Sequence, residues 1–237
     1  MEEALKYEEV FSFMLFGYRI PVMETVVVSW AAMVLIVFFA FIMTRRLAWR
    51  PSGAQAVLET AVGFLNKFSK DKFGEGSRYL GHYIATLFLF LCVTNLLPVF
   101  SPVEIFGLEP PFSIKPPARD INVTASLAVI SILLVLICGL RARGFTGWLR
   151  HLAHPVPMMI PFNLMEYGTR LISLALRLFG NVLGAFVLMR LIEGLIPVAL
   201  PMVLSLYFDF FDGVLQAGIF VFLTSLYIAE AVEVHAQ

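Results

Sequence analysis

The chain has 237 residues, of which 59% are hydrophobic and only 14% charged, and its mean hydropathy is +0.86. Soluble domains average about 45–50% apolar and about 25% charged residues, so the composition excludes an ordinary soluble enzyme and implies an integral membrane protein. Basic and acidic side chains number 17 each, which removes the electrostatic case for a nucleic-acid partner.

The N-terminus, MEEALKYEEV, is acidic and lacks the basic n-region of a cleavable signal peptide, so insertion is expected to rest on the spans themselves. Residues 1–24 read as an N-terminal lead, with Phe11, Phe13, Leu15 and Phe16 making it amphipathic and placing it at the membrane interface. Span one is 25–44, uncharged throughout and long enough for a hydrocarbon core about 30 Å thick. It ends in TRRLAWR, where Arg45, Arg46 and Arg50 beside Trp49 form a positive, aromatic anchor. Over 53–70 apolar residues recur at helical spacing with Gln55, Glu59, Asn66 and Lys67 between them, which predicts an amphipathic helix on the cytoplasmic surface.

Span two, 79–103, carries His82 at its edge, read as interfacial, and Thr94, Asn95 and Pro98 late in it. Four prolines mark 104–120 as an external loop. Span three is 121–140, opened by Asp120, Asn122 and Thr124 and closed by Arg141 and Arg143, and a surface turn or helix around Trp148 follows. Cys92 and Cys138 sit in apolar runs without CxxC or Cys/His spacing and read as small buried hydrophobes. No metal or cofactor motif is present, and no cofactor is expected.

The last third is different. No proline interrupts the pattern between Pro161 and Pro197, so 158–193 predicts a helix roughly 50 Å long that fits a membrane only when strongly tilted. A second long apolar pattern, 197–229, carries Asp209, Asp212 and Gln216 and returns as the other arm of a hairpin. The expected fold is one all-α integral membrane domain: five transmembrane helices plus interfacial amphipathic helices, the last two spans long and tilted. Ten basic residues follow spans one and three, against four in the lead and the proline-rich loop, which puts the N-terminus outside and the C-terminus in the cytoplasm.

Within the first tilted helix, SLALRLFGNVLG at 173–184 places Arg177 in a segment otherwise fit for lipid. A guanidinium stays charged, and at the bilayer centre it costs at least about 2.5–3.5 kcal/mol, so such a residue faces a bundle interior or aqueous cavity and commonly marks an ion path. On a helix Ser173, Arg177, Asn181 and Gly184 share a face, and Gly180 and Gly184 make a small-xxx-small pair open to close helix approach. Asp209, Asp212 and Gln216 are spaced as one polar stripe that antiparallel packing would bring toward Arg177 and Asn181. Glu166 either pairs with Arg170, four residues on, or lines an aqueous entrance three turns before Arg177, while Arg190 and Glu193 read as an interfacial pair.

The run SLALRLFGN resembles the most distinctive motif of subunit a of the rotary F-type ATP synthase, bacterial form. NLLP at 95–98, RDINVT at 119–124, IPFNLME at 160–166 and LQAGIFVFLTSLYIAEA at 215–231 agree with that family in order and type. The resemblance implies a non-catalytic, ion-conducting stator, with ATP chemistry on other subunits. Its partners would be a ring of small hairpin c subunits, the peripheral-stalk subunit b and the bilayer of a bacterial inner membrane. It implies two aqueous half-channels, with Arg177 attracting the ring carboxylate and blocking direct leak between them. Asn181 and Gln216 match polar family positions near the arginine. Where many members carry a glutamate this chain has Phe186, and where many carry a histidine it has Asp209, which would then act alone or with Asp212 and Glu230 as the titratable group. Glu166 stands one helical turn nearer the arginine than the family's usual acid. The rival functions are a secondary transporter or independent channel, disfavoured by the absence of an internal repeat, and a scaffold whose charges merely pair.

Overall fold

The computed structural model describes residues 9–15, 17–45, 47–49, 53–73, 78–97, 116–153, 156–195, 204 and 206–232. Most of the proline-rich loop, the turn between the last two spans, and the side chains of Asp209, Arg190 and Glu193 lie outside the described residues.

The lead is where the structure departs from an entirely helical chain. Strand β1 (Glu9–Leu15) pairs antiparallel with β2 (Tyr18–Met23), from Leu15↔Tyr18 back to Glu9↔Met23. The physical reason is visible in the sequence: Phe11, Phe13 and Leu15 alternate with a period of two, which suits a strand, and Gly17 takes φ 84° at the turn. Arg19 bonds Ser12 and pairs with Glu9 across the ribbon.

Helix α1 (Glu24–Thr44) follows directly. Val34, Val37 and Phe38 are exposed along it, as suits a lipid-facing helix, whereas Ala32 is buried. Helix α2 (Ala54–Phe73) lies against α3 (Arg78–Leu96). Helix α4 (Ile121–Leu152) contains a break at Gly144 (φ 69°, ψ 166°), which separates its membrane part from the segment around Trp148. Helix α5 (Ile160–Leu195) has 36 residues, about 54 Å, and exceeds a bilayer core unless tilted. A π-helical segment (Leu206–Asp212) leads into α6 (Gly213–Val232). Among the described residues, five helices are long and apolar enough to cross a membrane.

The core lies where α3, α4, α5 and α6 meet, with Ile84, Leu91, Val135, Leu178, Phe220 and Ile228 almost fully buried. Its polar groups are mostly satisfied within the protein, as a low-dielectric surround requires. Thr224 and Ser225 bond back to the carbonyls of Phe220 and Val221, and the Tyr83 and Ser131 hydroxyls meet at 3.0 Å between α3 and α4. Asp120, 3% exposed, caps α4 by accepting from the Asn122 backbone at 2.9 Å and also from the Thr25 hydroxyl of α1 at 3.0 Å. One carboxylate thus starts α4 and ties α1 to the bundle.

Candidate ion-path site

Helix α5 supplies the centre of the site. Leu174, Ala175 and Leu178 turn into the core, which leaves Arg177, Gly180, Asn181, Gly184 and Leu188 exposed along the flank of the helix beside it. Arg177 lies at mid-length of the helix, and its Nη2 donates to the Ser173 hydroxyl one turn earlier at 3.3 Å. Among the described residues it forms no ion pair. Side chains built at Gly180 or Gly184 would meet nothing within 4 Å, so the ridge beside the guanidinium is bare. This arrangement can attract an anionic group arriving from outside the subunit, and the absence of bulk lets a neighbouring helix come close.

Asn181 links this face to α6. Its Nδ2 donates to Gln216 Oε1 at 2.7 Å, and Gln216 is 1% exposed. Antiparallel packing therefore brings Gln216 to the Arg177 face. Asp212, half-buried, stands four residues before Gln216 but in the π-helical segment with the Asp209 backbone. Bonding of i→i+5 type widens that turn, so the even stripe expected of Asp209, Asp212 and Gln216 from α-helical spacing does not carry through Gly213.

Glu166 pairs with Arg170, and Arg170 also reaches both oxygens of Glu230 at 2.9 Å, so the local expectation for Glu166 gains a second carboxylate from α6. The Arg170 side chain is 14% exposed and lies over the Tyr227 ring, 4.7 Å from its centroid. Beside these groups is a cavity of about 220 Å³, lined among others by His151, Asn163, Glu166 and Tyr167. It is roomy enough for several waters. Glu230 is thereby separated from Asp212, with which the sequence grouped it: the two stand at opposite ends of α6, 18 residues or about 27 Å apart.

Arg119 was not a candidate from spacing alone. It is 1% exposed, and its guanidinium sits 4.4 Å from the centroid of the Phe186 ring. An aromatic face offers a desolvated cation a favourable quadrupole, so Phe186 is a partner here and not a gap in the site. The RDINVT motif carried the only sequence signal for it, and nothing in the spacing linked residues 119 and 186.

Comparison with known proteins supplies the family. The ATP synthase A chain family matches residues 26–229. The chain belongs to the ATP synthase subunit a family. Among its relatives, ATP synthase subunit a of Moorella thermoacetica is 38% identical over 91% of this chain and 94% of its own length. A Propionigenium modestum protein named as a sodium-ion-specific subunit a is 35% identical over 89% of this chain and 74% of its own. Subunit a 1 of Crocosphaera subtropica is 34% identical over 90% and 88%. Membership gives the chain its role: it is a multi-pass membrane subunit of the synthase complex, the stator component in ion translocation.

Proposed function

We propose that Arg177 is the residue at which this subunit meets the ion carriers of a rotating c-ring, and that two aqueous half-channels reach it from opposite membrane faces. The observation that carries the reading is the exposure of Arg177 without an ion pair among the described residues, at mid-length of α5 where Gly180 and Gly184 leave the ridge beside it open. A carboxylate presented by a ring helix would be drawn to this guanidinium, and the attraction strengthens as lipid and protein exclude water. The next carboxylate competes as the ring turns, so the pairing is transient. A potential of 100 mV supplies about 2.3 kcal/mol per charge, hence several ions pass for each ATP.

The remaining site residues fall into two groups along the hairpin. Asp209, Asp212 and Gln216 with Asn181 serve one half-channel. Glu166 and Glu230, held by Arg170 around the 220 Å³ cavity, serve the other, with Ser173 steadying Arg177 between them. The excess of basic residues after spans one and three puts the Glu166 and Glu230 end in the cytoplasm, the N-terminus outside, and the complex in a bacterial inner membrane with subunit b as stalk partner. The ion is H⁺ or Na⁺, and the sodium-specific relative makes both worth assaying.

The test is ATP-driven ion uptake and passive leak in inverted vesicles carrying native Arg177 or Arg177→Ala. Loss of pumping with the complex assembled supports the reading. Undiminished pumping would refute it and leave Arg177 a structural residue.

A further inference from the structure

Asn95 stands apart from the residues above, on the last turn of α3. It is 5% exposed, and its Nδ2 donates to the Gly213 carbonyl of α6 at 3.1 Å. Glycine makes the contact possible, since a Cβ at residue 213 would lie 3.1 Å from the Asn95 Cβ. Gly213 is also where the helix changes type, with Leu206–Asp212 π-helical before it and Gly213–Val232 α-helical after it. Such a change shifts the partners of backbone carbonyls and rotates the residues on one side relative to the other. Asp209 and Asp212 lie before the junction, and Gln216, bonded to Asn181, lies one turn after it.

A second observation points the same way. Asn95 Oδ1 and Gln216 Nε2 are buried without a hydrogen-bond partner among the described residues. One is an acceptor and the other a donor, on residues that flank the turn from Gly213 to Gln216. Buried amide atoms are seldom left without a partner, and where the surroundings are polar the partner is ordered water.

We propose that Asn95 is a positioning residue of the ion path. Its amide holds the junction at Gly213 and so fixes where Asp209 and Asp212 stand relative to Gln216 and Asn181. Its Oδ1 and Gln216 Nε2 take waters of the path as their partners. The inference rests on the ion-path reading above.

Asn95→Leu keeps the branched shape of the side chain and removes both amide functions. The measurement is passive ion conduction through membranes stripped of the catalytic sector, normalised to the amount of assembled subunit, beside ATP-driven uptake in unstripped vesicles. A purely structural residue would lower the assembled amount and leave conduction per complex at the native value. A positioning residue lowers conduction per complex by about tenfold, the factor commonly lost with one buried hydrogen bond. Native conduction per complex in Asn95→Leu overturns the proposal. Should that variant not assemble, Asn95→Ser and Asn95→Ala are compared: a serine, keeping a donor and an acceptor, conducts better if the proposal holds, and equal conduction overturns it. The two readings fail separately. Loss of pumping in Arg177→Ala with native conduction in Asn95→Leu sinks only the role of Asn95, whereas native pumping in Arg177→Ala sinks both.

Discussion

The bond between Asn181 and Gln216 joins the two arms of the hairpin, and its strength is open to measurement. Interhelical hydrogen bonds in membrane proteins average about 0.6 kcal/mol in double-mutant cycles and reach about 1.7 kcal/mol. This bond is short, at 2.7 Å, and its acceptor is 1% exposed, so it belongs in the upper half of that range, about 1–1.7 kcal/mol. Asn181→Ala strands the buried Gln216 Oε1 and carries the desolvation cost of that atom in addition. Gln216→Leu removes both amide functions at similar volume. The double variant therefore recovers much of what Asn181→Ala loses, and the coupling energy is the quantity to read. The assay is the unfolded fraction of detergent-solubilised subunit against SDS mole fraction, for the native protein, both single variants and the double. Additivity of the two single effects within about 0.3–0.5 kcal/mol would refute the reasoning, since sites that do not interact behave so.

Two more outcomes follow from buried groups outside the hairpin face. Asp120→Ala removes the cap of α4 and the acceptor of the Thr25 hydroxyl, for a loss of about 2–3 kcal/mol, seen as a lower melting temperature of the extracted complex, whereas Asp120→Asn keeps the cap and loses less. Phe186→Leu withdraws the ring from beneath the buried Arg119 guanidinium and costs about 2 kcal/mol in the same unfolding assay, whereas Phe186→Trp retains the contact and the stability.

Arg177, Ser173 and Asn181 are within one or two turns of each other on one helix, so spacing alone placed them on a common face, and the Ser173 contact follows from that. Glu166 and Arg170, four apart, were legible as a pair for the same reason. The partner of Glu230, Arg170, lies 60 residues away, and no local period connects two helices. The even stripe on the last span was extrapolated at 3.6 residues per turn across a segment that the structure shows as π-helical. In the lead, the alternation of Phe11, Phe13 and Leu15 held a strand signal that membrane composition overshadowed.

What the sequence determined by itself is that the chain lives in lipid, that five helices among the described residues are long and apolar enough to cross, and that one of them carries an arginine at mid-length. Backbone polar groups cannot be left open in hydrocarbon, so a long apolar run is committed to a helix whatever its neighbours are. What the tertiary structure decided is which particular groups touch: Asn181 with Gln216, Arg170 with Glu230, Arg119 with Phe186, Asn95 with Gly213, Thr25 with Asp120. Lipid offers helices little hydrophobic preference for one partner over another, so these meetings depend on packing and hydrogen-bond geometry between helices. That geometry is a property of several segments at once and has no counterpart in the period of any one of them.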